Sequence, residues 1–156
     1  LLEKIRDHST NPVIISSGGC EIEHIDKLVK MFKNKYLGLM HCVSIYPTPS
    51  DKMYLRNITD FIRRYPNITV GFSTHEDPSN NDVIRVAYTL GARMFEKHVG
   101  VDILNKYSAS PEQVEKWILS YFDTKKLIGE QRIINESEKR DLQKLYRGVF
   151  FNKKLR

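Results

Sequence analysis

The chain has 156 residues, 40% of them hydrophobic, and a formal net charge of +6, which suits one globular domain with its own core and excludes a disordered or fibrous composition. Its two cysteines, Cys20 and Cys42, are too few for a disulfide framework or a zinc site, so a reducing, cytoplasmic setting is expected. The opening LLEKIRDHST carries charges where a signal peptide is apolar, and no apolar run reaches membrane-spanning length, so a soluble protein with no membrane partner is expected.

In chain order, short apolar runs of β type alternate with stretches whose apolar residues fall at helical spacing. LLEKIRDHST reads as the end of a helix. PVIISS (12–17) is the first strand, followed by a helix with Ile22, Ile25, Leu28, Val29 and Phe32 on one side. LGLMHCVSIY (37–46) is the second, and the helix after it carries Leu55, Ile58, Phe61, Ile62 and Tyr65 until Pro66 stops it. NITVGFS (67–73) is the third, with Val83, Ile84, Ala87 and Leu90 on the next helix and Gly91 placed to close it. ARMFEKHVGV (92–101) is the fourth. In the helix that follows, SPEQVEKWILSYF, Ser110 and Gln113 form a capping box and Pro111 suits the first turn.

Four consecutive βα units imply parallel strands covered by helices, in an α/β barrel or a doubly wound sheet. A barrel needs eight units and about 250 residues, so four units are half of one. YRGVFFNKKLR reads as a strand entering a turn and then stopping, and truncation at both ends is expected. Residues 1–130 are assigned to the half-barrel and 131–156 to a linker and the start of a further domain. The basic excess of KRDLQKLYRGVFFNKKLR lacks the aromatic platform of a single-strand binder, so no nucleic-acid partner is expected.

Strand alternation sorts the polar residues into two faces. Thr69, Gly71, Ser73 and His75 share one face, with Val70, Phe72 and Thr74 opposite. Met94, Glu96 and His98 share a face, as do Met40, Cys42, Ser44 and Tyr46, whereas His41 faces the helices. Ser16 goes with Ile14. Every strand thus ends in polar groups on the expected inner face, at the carboxyl edge where α/β folds bind ligands. A carboxylate at Glu96 buried beside a histidine would be costly without a metal or a cation. Cys20 and Cys42 are read as small hydrophobes, since neither has a base at a telling spacing. His8, His24 and His41 are read as structural or surface residues.

LMHCVSIYPTPSDKMYLRNI, VGFSTHE, LGARMFEKHVGVD and NPVIISSGG closely resemble the N-acetylneuraminate (sialic acid) synthase family, in order and spacing, from about residue 1 to about residue 135. The resemblance implies an eight-stranded TIM barrel, dimeric when full length. It implies condensation of phosphoenolpyruvate with an N-acyl mannosamine or related amino sugar to a nonulosonic acid, with release of phosphate. It further implies a divalent manganese or magnesium ion held by His75 and His98, enolpyruvate contacts from Ser16, Ser73 and Tyr46, a substrate contact at Ser44, and a sugar contact from Glu96. RGVFFNKKLR is similar to the start of the small antifreeze-like domain that follows the barrel in that family. Ser44 stands where the family usually has asparagine, Thr74 where aspartate commonly precedes the histidine, and the loop after Asp102 is short, so the acceptor sugar stays open. A different phosphoenolpyruvate- or aldehyde-using barrel, or a non-catalytic sugar-binding barrel, is the alternative.

Overall fold

The computed structural model describes residues 1–32, 37–101, 105–130 and 132–145. The elements in order are α1 (Leu2–His8), β1 (Val13–Ser16), α2 (Ile22–Met31), β2 (Leu37–Cys42), α3 (Arg56–Arg64), β3 (Thr69–Thr74), α4 (Asp82–Thr89), β4 (Met94–Lys97), α5 (Pro111–Ile128) and α6 (Glu136–Leu145). The strands form one parallel sheet in the order β1-β2-β3-β4, with a helix between each pair, which is the arrangement of half a TIM barrel. The chain divides into two compact units, residues 1–126 and 127–156. The strand expected in YRGVFFNKKLR lies outside the described residues, as does Asp102.

The expected alternation holds through the ladder. Leu39 pairs with Val70, and Phe72 with both His41 and Phe95, on the face covered by helices. There Leu39, Val70 and Phe72 join Ile25, Ile58, Phe61, Val83 and Ala87 in one buried cluster. His41 belongs to this layer: its ring stacks on Phe72 with centroids 5.9 Å apart, and its Nε2–H donates to the Met53 carbonyl at 2.8 Å. Asp26 of α2 accepts both arms of the Arg64 guanidinium of α3, at 2.8 and 2.5 Å, and the Tyr65 hydroxyl at 2.8 Å. These contacts hold the Asp26 carboxyl down at about 2.

On the opposite face, Met40 and Met94 fill the space above Gly71. A Cβ there would meet Met40 Sδ at 2.4 Å and the Met94 carbonyl oxygen at 2.7 Å, so glycine is required by the approach of the neighbouring strand's backbone. Ile14, on the same face of β1, remains 60% exposed.

The helix ends follow their sequence signals. Gly91 takes φ 109°, with its N–H bonded to Tyr88 and that of Ala92 to Ala87, a Schellman closure of α4. Ser110 and Gln113 form the capping box: the Ser110 N–H donates to Gln113 Oε1 at 2.8 Å, and the Gln113 N–H to Ser110 Oγ at 3.3 Å. Phe95 packs edge-on against Trp117 and Tyr121 of α5. Two strands are shorter than the apolar runs suggest. β2 stops at Cys42, ahead of a loop holding Pro47 and Pro49, which lack the N–H a ladder needs, and β4 stops at Lys97. No helix among the described residues is long and apolar enough to cross a membrane.

Two measurements test this packing. Gly71→Ala should destabilise the protein by about 1–3 kcal/mol in chemical denaturation, because the methyl meets backbone; unchanged stability would contradict the close approach. Burial holds the His41 pKa below 6.5, so the unfolded chain takes up a proton there before the folded one does. Stability should therefore fall as pH drops below 6.5 and be fully present above it. His41→Gln should remove part of that slope, and an unchanged slope would contradict a buried neutral imidazole.

Candidate functional site

The parallel register brings Cys42, Ser73 and Glu96 level with one another on the inner face at the carboxyl edge, because Cys42 pairs with Ser73 and Ser73 with Glu96. His75 follows the last residue of β3 by one, and His98 follows the last residue of β4 by one. Loop backbone fixes both. The His75 carbonyl accepts the Thr48 N–H at 2.9 Å, and Thr48 Oγ1 donates to the Ile45 carbonyl at 2.7 Å, which pins the β2 loop to the end of β3. Tyr46, on that loop, meets the His75 ring edge-on at 4.5 Å. The His98 carbonyl accepts the Ala109 N–H at 2.9 Å, and the Gly100 N–H donates to the Ala109 carbonyl at 3.0 Å, which folds the following loop back over the strand ends.

That return places Tyr107, a residue the sequence reading did not single out, at the centre of the group. Its ring lies 5.0 Å from His98, 6.1 Å from His75 and 5.4 Å from Tyr46, centroid to centroid. An aromatic residue in the polar stretch NKYSAS just after β4 was the available signal. The inner-face groups thus brought together are Ser73, His75, Glu96, His98 and Tyr46. Ser16 and Ser44 lie toward the β1–β2 side. Ser16 is exposed and pairs with Met40, one row below Cys42. Ser44 Oγ lies 2.6 Å from where a Cβ on Gly18 would stand. It lines an open hollow of about 400 Å³ with Ser17, Cys42 and Asn57.

Several expectations are corrected. Glu96 is exposed on the inner face of the half-barrel rather than buried. Cys20 is exposed in the loop before α2 and is no core hydrophobe. Cys42 does have a base nearby, with its Sγ 4.0 Å from His75 Nδ1 across 33 residues of sequence. Thr74, by contrast, lies where strand alternation puts it, buried at 2% exposure on the helix-facing side and turned away from the imidazoles. Behind His75, a void of about 10 Å³ lined by Thr48, Ser73 and Thr74 is the size one water fills.

The electrostatics favour a neutral His75. Burial lowers its pKa below 6.5, the Glu96 carboxylate acts in the opposite direction, and His98 lowers it further. A neutral imidazole has a lone pair free to ligate. Among the described residues no group of three or more His, Cys, Asp or Glu side chains encloses a metal-sized space; His75 and His98 offer two nitrogen donors with the remaining directions open. By NMR, the His75 ring should titrate below pH 6.5 in the metal-free protein, and lower still in Glu96→Gln, which loses the raising charge. A midpoint at or above 6.5 would contradict this electrostatic account.

The profile of the NeuB family matches residues 1–132. An N-acetylneuraminate-9-phosphate synthase of Drosophila melanogaster is 33% identical over 100 residues, which is 62% of this chain and 26% of that protein. Among solved structures, one described as spore coat polysaccharide biosynthesis protein E from Chromobacterium violaceum superimposes with a TM-score of 0.85 at 38% identity, over 93% of this chain and 45% of its own. An N-acetylneuraminic acid (sialic acid) synthetase from Leptospira borgpetersenii, in complex with citrate, gives a TM-score of 0.78 at 26% identity, over 95% of this chain and 53% of its own. The chain therefore spans about half the length, or less, of the relatives it matches. By the extent of the family match and the half-barrel it folds into, the chain belongs to the NeuB family.

Proposed function

We propose that this chain is the part of a nonulosonic acid synthase that carries the carboxyl-edge imidazoles, in an enzyme condensing phosphoenolpyruvate with an N-acyl mannosamine-type amino sugar and releasing phosphate. The observation that supports this reading most is the gathering of His75, His98, Tyr46 and Tyr107 at the ends of adjacent half-barrel strands in a NeuB-family chain. His75 and His98 would hold a divalent cation, and imidazole nitrogens favour manganese over the strictly oxygen-seeking magnesium. When bound, such an ion supplies Lewis-acid polarisation of the sugar aldehyde.

The chain's own residues would orient the reactants around it. Ser73 and Ser16 present hydroxyls to an anionic substrate, and Tyr46 presents a phenol from the β2 loop. Hydroxyls bind phosphate or carboxylate without supplying counter-charge, so lysines or arginines elsewhere in the whole barrel are part of this reading. Glu96, level with Ser73, would accept hydrogen bonds from the amino sugar. Tyr107, edge-on to both imidazoles, would limit water at the reacting carbon. A homodimeric, cytoplasmic enzyme goes with this reading. The acceptor is left at the class of N-acyl amino sugars.

The test is phosphate release by the intact protein, which should require phosphoenolpyruvate, an amino sugar and a divalent metal together and should stop on chelation. His75→Ala and His98→Ala should each lower it by about a hundredfold or more. Glu96→Gln should raise KM for the amino sugar while leaving that for phosphoenolpyruvate nearly unchanged. Undiminished phosphate release in His75→Ala would overturn the assignment.

A further inference from the structure

Directly behind the two imidazoles, on the helix-facing side, lies a charged pair that the site does not use. Lys97 Nζ and Glu76 Oε1 are 2.6 Å apart, with side chains only 3% and 1% exposed, and the ammonium lies 5.5 Å from the Trp117 ring centroid. Such a pair is a poor device for stability alone, since desolvating two charges offsets much of their attraction. Here Glu76 Oε2 and Trp117 Nε1 also find no hydrogen-bond partner among the described residues. The burial therefore calls for a reason other than stability.

The connectivity supplies one. Glu76 follows His75 and Lys97 precedes His98, and in extended chain neighbouring side chains point to opposite faces. The ladder between β3 and β4 ends at Thr74 paired with Lys97. One residue further on, the His75 carbonyl is bound to Thr48 and the His98 carbonyl to Ala109, in two different loops. At the level of the imidazoles the Lys97–Glu76 contact ties the two strand ends directly on the helix-facing side, while Tyr107 touches both rings on the inner side.

We propose that Glu76 and Lys97 are positioning residues, an ion-pair clamp across the ends of β3 and β4 that sets the spacing of His75 and His98. Why that spacing matters rests on the proposed function; that the clamp sets it does not. In the intact, metal-free protein with labelled histidine and tyrosine, cross-relaxation should connect the Tyr107 ring to both imidazoles, whose centroids lie 6.1 and 5.0 Å away. The variant E76M/K97M keeps volume and removes both charges, so it should melt within about 5 °C of the parent. It should nevertheless lose the connection to at least one imidazole, and its affinity for Mn2+ should weaken about tenfold or more. A folded variant with both connections intact would overturn the clamp. Should the methionine pair not fold, E76Q/K97M removes both charges while keeping a hydrogen-bonding side chain at position 76, and the same reading applies to it. Failure of the proposed function shows separately, as Mn2+ binding by the parent that His75→Ala leaves unchanged.

Discussion

The parallel register of β2, β3 and β4 is the constraint on which the rest of the molecule depends. Side chains alternate strictly along each strand, and Cα partners across a parallel ladder point the same way, so one register decides everything at the edge. With Cys42, Ser73 and Glu96 level, the residues two positions further along β3 and β4 must be His75 and His98. A slip of one residue would send both imidazoles into the helix layer and bring Glu76 and Lys97 to the inner face. Gly71 guards that register, because Met40 and Met94 close over it with no room for a methyl group.

The edge built on this register has two sides with different chemistry. The inner side is polar, holding the Glu96 carboxylate, the buried Ser73 hydroxyl and two imidazoles that both meet one aromatic ring edge-on. The outer side is closed, and within it Lys97, Glu76 and Trp117 form a buried polar knot beneath α5. Burial has opposite uses on the two sides. On the inner side it keeps His75 neutral and able to donate its lone pair. On the outer side it forces two charges together, and charges held in a dry environment move less freely than solvated ones.

Much of this was legible in the sequence wherever the signal is periodic or local. The four βα units follow from spacing, the close of α4 from Gly91, the start of α5 from Ser110 and Gln113, and the inward direction of Ser73 and His75 from strand parity. What escaped has no period. Tyr107 reaches the imidazoles only because the Val99–Ala109 bridge folds a short loop back. Glu76 and Lys97 are charged residues that composition assigns to solvent, and their pairing spans 21 residues. Cys42 and His75 meet across two strands. Strand ends were overextended where apolar residues continue past the ladder, as in VSIY after Cys42. Strand parity also puts Thr74, which replaces the family's usual aspartate, on the far face, and there its side chain is buried.

The central claim is that the adjacent ends of β3 and β4 form one centre around two imidazoles. The most direct measurement is anomalous scattering at the manganese edge from crystals of the intact protein grown with Mn2+. The account predicts a peak within bonding distance of both His75 and His98. A peak bound elsewhere, or none at saturating metal, would contradict it.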